Sequence, residues 1–98
     1  MENRKGERAT PQEEEKLDLV SRLSYRGLIV VIDPLKKIYE YYRPDQLGYP
    51  PDVSFVNIYN KDGTVKRSLL RHEYGKVWFV TKKEADQYCN RVIQGDVL

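Results

Sequence analysis

The spacing of apolar residues changes several times along the chain, and each change marks an element. Between Leu17 and Leu23 apolar residues recur every three positions (Leu17, Val20, Leu23), with Leu19 just off the stripe. That spacing predicts an amphipathic helix with a narrow apolar face. Its start reads Thr10-Pro11-Gln12-Glu13. The Thr10 hydroxyl caps, Pro11 takes the first helical position, and Glu13 completes a capping box. Glu13, Glu14 and Glu15 then occupy the first turn, where the helix dipole favours negative charge. Gly27 is the expected stop.

Leu28 to Ile32 is a run of five apolar residues rich in Val and Ile, too short for a buried helix and suited to a central strand. Asp33-Pro34 ends it. Leu35 to Arg43 admits two readings. Leu35, Ile38, Tyr39 and Tyr42 fall at helical spacing behind an Asp33 cap. Alternatively, Asp33-Pro34-Leu35-Lys36 is a turn and Lys37–Arg43 a strand, and the strand preference of Ile-Tyr-Glu-Tyr-Tyr favours this hairpin.

Pro44–Asp52, with Pro44, Pro50, Pro51 and Gly48, is expected to be a loop. Val53–Tyr59 reads as a strand with apolar residues on both faces. Asn60-Lys61-Asp62-Gly63 is a hairpin turn, and Thr64–Leu70 the return strand. After a connection at Arg71–Gly75, Lys76–Val80 is a last strand, with Trp78 expected in the core. Thr81-Lys82-Lys83-Glu84 repeats the capping-box pattern. Ala85, Tyr88, Cys89, Val92 and Ile93 then form an apolar helical stripe, ended by Gly95.

These elements predict a single small α+β domain over residues 10–98, preceded by a flexible arm at residues 1–9. Its antiparallel sheet would have four or five strands and be flanked by the N-terminal and C-terminal amphipathic helices. Both helices would cover one sheet face, because neither can bury its stripe alone. A length of 98 residues fits one domain. The 11% aromatic content argues against a disordered chain. No apolar run approaches the ~20 residues needed to span a bilayer. The charged N-terminal stretch is not followed by an apolar segment, so the expectation is a cytoplasmic protein without a membrane partner.

Cys89 and His72 are the only residues of their types. No internal disulfide can form, and a structural zinc site would lack its usual four ligands. Cys89 lies on an apolar stripe, where a free cysteine is a small core residue. His72 stands between Arg71 and Glu73 with no marked catalytic partner. Asp33, Asp45, Asp52 and Asp62 sit in turns, where aspartate is favoured by turn chemistry. No phosphate-binding glycine fingerprint is present. The expectation is therefore a non-catalytic protein with no metal and no cofactor.

Charge carries the remaining information. The net charge is only +2, yet residues 61–83 hold seven basic side chains (Lys61, Lys66, Arg67, Arg71, Lys76, Lys82, Lys83) against Asp62 and Glu73. Lys66, Arg67, Arg71, Lys76, Lys82 and Lys83 are the candidate phosphate-binding residues, on a hairpin and at a helix N-terminus. Strict alternation would set Lys66 and Arg67 on opposite faces of their strand. The eight tyrosines supply possible stacking groups. The leading expectation is nucleic-acid binding. The rival is a protein-interaction module, self-associating as a homodimer through a tyrosine-rich surface, without nucleic acid.

Overall fold

A computed structural model of the chain describes residues 11–96. The expected arm at residues 1–9, the Thr10 cap, and the side chains of Glu13, Glu14, Glu15 and Leu17 lie outside the described residues. Helix α1 spans Pro11–Arg26 and strand β1 Leu28–Asp33. Strands β2 (Ile38–Tyr42), β3 (Leu47–Gly48), β4 (Phe55–Tyr59), β5 (Val65–Leu70) and β6 (Trp78–Phe79) follow, then helix α2 (Lys82–Ile93). The chain is an α+β domain.

The strands do not form one sheet. They divide into two antiparallel three-stranded sheets, ordered β2-β1-β6 and β3-β4-β5. The physical reason lies at the two junctions. A 3-10 turn at Pro44–Gln46 follows β2, and Pro44 and the later Pro50-Pro51 offer no amide donors to continue β2 into another hairpin. A second 3-10 turn at Arg71–Glu73 redirects the chain after β5. β6 consequently pairs with β1, Ile29 opposite Phe79 and Val30 opposite Trp78, rather than with β5. Within the expected loop, Leu47-Gly48 forms a two-residue strand on the edge of β4.

Alternation along β1 then sets the layers. Leu28 and Val30 face a core shared with Tyr42, Trp78 and Val80, with Val56, Ile58 and Leu69 of the second sheet, and with Leu19 and Leu23 of α1. Ile29 faces the other way and packs with Phe79 and with Ala85 of α2. The helices therefore lie on opposite faces of the first sheet, not together on one. The buried stripe of α1 runs through Leu19 and Leu23, while Val20 is half-buried. The residue read as off the stripe is its centre, because i and i+4 lie closer on a helix than i and i+1.

Residues 35–43 form the hairpin rather than the helix. Leu28 pairs with Tyr42 and Val31 with Tyr39. The turn begins one residue later than expected: the Lys37 amide bonds the Pro34 carbonyl at 3.3 Å, and Lys37 takes a positive φ of 54°. Trp78 is fully buried, and its indole N–H donates to the Leu70 carbonyl at 3.0 Å, so burial leaves no orphan donor. Cys89 is a buried free cysteine, and His72 an exposed residue of the second 3-10 turn. No helix among the described residues is long and apolar enough to cross a membrane.

Candidate nucleic-acid interface

The β4–β5 hairpin is built by its turn. Asn60 donates to Thr64 twice, from its amide to the Thr64 carbonyl at 2.8 Å and from its side-chain Nδ2 to the Thr64 hydroxyl at 2.9 Å. The Asp62 carboxylate accepts from the Thr64 amide at 3.0 Å and from its hydroxyl at 2.6 Å. Those bonds hold Asp62 below its usual pKa. Gly63, with φ 89°, supplies the left-handed residue the closing turn requires.

Beyond the turn the ladder slips. Tyr59 pairs with Val65 but Ile58 pairs with Arg67, so Lys66 is the extra residue of a β-bulge. The bulge breaks the expected alternation. The Lys66 ammonium comes 5.0 Å from the centroid of the Tyr42 ring on the first sheet. Tyr42 donates its hydroxyl to Glu40 at 2.6 Å, and the Tyr42 hydroxyl and Glu40 charge raise the Lys66 pKa. Lys66 is thus turned toward the β2 edge, where it ties the second sheet to the first.

Lys82 is also engaged. It pairs with Asp86 at 2.9 Å, one helical turn along α2. Asp86 further accepts from the Tyr39 hydroxyl, and these two donors hold its carboxyl below the usual range. The remaining candidates have no ion-pair partner among the described residues: Arg67 on β5, Arg71 in the 3-10 turn, Lys76 in the connection to β6, and Lys83 in the first turn of α2. Arg71 is half-buried, and the other three are exposed.

The α2 N-terminus is fixed by Glu84. The Glu84 amide donates to the Thr81 hydroxyl at 3.2 Å, and the Glu84 carboxylate accepts from the Thr81 and Val80 amides, each at 3.2 Å. Arg22 of α1 donates to the same carboxylate and to the Tyr74 hydroxyl, both at 2.7 Å. Burial pushes the Glu84 carboxyl up, but the bonds from Arg22 and the two amides outweigh it and hold it low. An internal anion therefore already satisfies the start of this helix, and Lys83 adds an exposed charge beside it. A cleft of about 280 Å³ opens next to this network, lined by Tyr74, Gly75, Phe79, Tyr88 and Arg91.

The outward face of the second sheet is a feature the charge pattern did not mark. Val56 and Ile58 point into the core, so Phe55, Asn57 and Tyr59 share the opposite face. Phe55 lies opposite Leu70, both exposed, and Asn57 lies opposite Ser68, whose hydroxyl bonds its side chain at 2.5 Å. Arg43, Gln46, Asn60 and Lys61 line a recess of about 300 Å³ against Tyr59. Of these residues Lys61 stood out in the sequence as part of the charge excess, and Tyr59 as one of the eight tyrosines. The alternation of Val56 and Ile58 with Phe55, Asn57 and Tyr59 divided the strand into two faces without showing which one meets the core.

The tyrosines do not gather into one outward surface. Among those described, Tyr42 is buried, only Tyr25 and Tyr41 are exposed, and the other five are half-buried. Exposed apolar area gathers instead at the end of the β1–β2 hairpin, at Ile32, Leu35 and Ile38. Comparison with known proteins gave no match: no family model, no curated protein and no solved structure is significantly similar to this chain.

Proposed function

We propose that this protein is a non-catalytic nucleic-acid-binding protein whose phosphate contacts come from the segment between β5 and the start of α2. The observation that supports this reading is that Arg67, Arg71, Lys76 and Lys83, close together in sequence, have no ion-pair partner among the described residues. They fall within the segment that holds most of the excess positive charge. Lys66 and Lys82 belong to the same segment, but Lys66 is held at the Tyr42 ring and Lys82 is paired with Asp86, so their part in phosphate contact is the smaller one.

The test is a salt titration of binding, followed by fluorescence anisotropy of labelled oligonucleotides. Four phosphate contacts predict a log–log slope of about −3 on a single strand, at ~0.7 per contact. Replacing Arg67 and Arg71 together by Ala should weaken binding equally for all sequences and make the slope shallower by about 1.4. An unchanged slope in that double variant would remove both residues from the site.

A second reading rests on a separate observation, the exposed Ile32, Leu35 and Ile38 beside the free edge of β2. An apolar hairpin end next to an unpaired strand edge suits association with a second copy or another protein. In that case light scattering would show a concentration-dependent dimer, and Ile38→Asp would abolish it without unfolding the chain.

A further inference from the structure

Resting on the nucleic-acid reading, we infer that the ligand is a single strand whose bases stack on the outward face of β3-β4-β5, with Phe55 and Tyr59 as the stacking groups. Three features carry this. The first is exposure: Phe55 and Leu70 pair across the ladder yet stay 38% and 45% exposed, and no described element covers them. A mixed face of two aromatic rings, an asparagine and a serine is poorly suited to a dry protein core. It suits base faces and base edges, which need both stacking and hydrogen-bonding partners.

The second feature is spacing. Phe55 and Tyr59 are four residues apart on one strand, which places their attachment points about 14 Å apart at ~3.4 Å per residue. That separation is too large for one base to span both rings. It calls for a ligand that presents several bases in succession. A duplex keeps its base faces buried in its own stack, whereas a single strand offers them freely.

The third feature is how the Tyr59 ring is seated. A Cβ at Gly48 would come within 2.7 Å of the ring carbon Cε2 and 3.1 Å of the hydroxyl. Only glycine at position 48 lets the ring lie across β3 in this way. The ring borders the recess that holds Arg43 and Lys61. Arg43 is already paired with Asp45 at 3.2 Å, which leaves Lys61 as the cation there without an ion-pair partner among the described residues. Arg67 of β5 lies opposite the inward Ile58 and so belongs to the other face. A strand laid over the rings would thus have Lys61 at one end of the aromatic face to meet a phosphate.

The experiment compares one sequence of about twelve nucleotides as single-stranded DNA, as RNA and as duplex DNA, by anisotropy over a range of salt. The variants are Phe55→Leu, Tyr59→Leu and Gly48→Ala, each checked for folding by its melting curve. The inference predicts that both single strands bind more tightly than the duplex. Each variant should lose roughly tenfold or more in affinity at every salt concentration, because one stacked base is lost. The salt slope should stay unchanged, because no phosphate contact is lost. The DNA and RNA arms show which sugar the site prefers. In the unaltered protein, ultraviolet cross-linking of a bromouracil-substituted strand should mark the peptides carrying Phe55 or Tyr59. Salt-dependent binding that favours the duplex, ignores these variants and cross-links elsewhere would overturn this inference and leave the nucleic-acid reading standing. No binding of any oligonucleotide at low salt would overturn both.

Discussion

Replacing Gly27 by Ala is expected to be among the most damaging single changes available in this chain. Gly27 closes α1 through its amide bond to the Leu23 carbonyl at 3.0 Å, and it does so at φ 79°. An L-residue forced into that region costs about 1–3 kcal/mol. A Cβ at this position would also stand 2.0 Å from the Tyr42 carbonyl oxygen, a backbone atom of β2. Backbone cannot swing aside as a side chain does. Strand β2 would have to separate from β1 where Leu28 pairs with Tyr42, and both residues belong to the main core. Strain and displacement together should amount to about 3–5 kcal/mol, a large share of the ~5–15 kcal/mol that stabilises a domain of this size. At ~4–8 °C per kcal/mol, Tm should fall by about 12 °C or more. Gly63→Ala is the matched control. Its φ is 89°, but a Cβ there meets nothing within 4 Å, so it should cost only the backbone strain. Urea unfolding of both variants isolates the steric part. If Gly27→Ala and Gly63→Ala differ by less than about 1 kcal/mol, the close approach of β2 to the end of α1 is refuted.

Two further predictions concern the polar contacts that hold α2. The Glu84 carboxyl is depressed in the fold below its ordinary value of 4.5, so its contribution is fully present above that pH and is lost as pH falls through the folded value. Glu84→Gln should flatten the acid limb of a stability-versus-pH curve and cost about 1–3 kcal/mol at neutral pH, since the charge-assisted bond to Arg22 goes; an acid limb identical to that of the unaltered protein would contradict the assignment. Tyr39→Phe removes the hydroxyl that donates to Asp86 and lies 3.6 Å from the Cys89 sulfur. It should destabilise by about 1 kcal/mol and raise the Asp86 pKa, which carbon-detected NMR can follow.

The parts of the fold that were legible in the sequence are those where local pattern and tertiary packing agree. Helix α2 reads directly from Thr81, Glu84 and the stripe through Ala85 and Cys89, because its cap and its buried face use the same residues. The β4–β5 hairpin reads from Asn60 to Gly63 for the same reason. What was not legible is the division into two sheets. Strands β3 and β6 have only two residues each, too few to show a period, and the partner of β6 is β1, distant in sequence. The buried Val53, held at φ 52°, was equally hidden, since a β-branched residue gives no sign that the chain will bend sharply there.

The candidate site was legible only as charge. Lys66 and Lys82 look no different in sequence from Lys76 and Lys83, yet Lys66 is drawn to Tyr42 and Lys82 to Asp86. The β-bulge decides the first, and the i to i+4 spacing, which was visible, decides the second. The outward aromatic face depends on which side of β4 meets the core. Apolar residues stood on both sides of that strand, so the pattern alone left the choice open.

The most direct test of the central claim is the map of backbone amide shifts as a single-stranded oligonucleotide is titrated into isotopically labelled protein. The account predicts perturbations concentrated in β4, β5 and residues 71–83, with those around Ile32 to Ile38 unmoved. Shifts confined to the β1–β2 hairpin, or no saturable shifts at low salt, would contradict it.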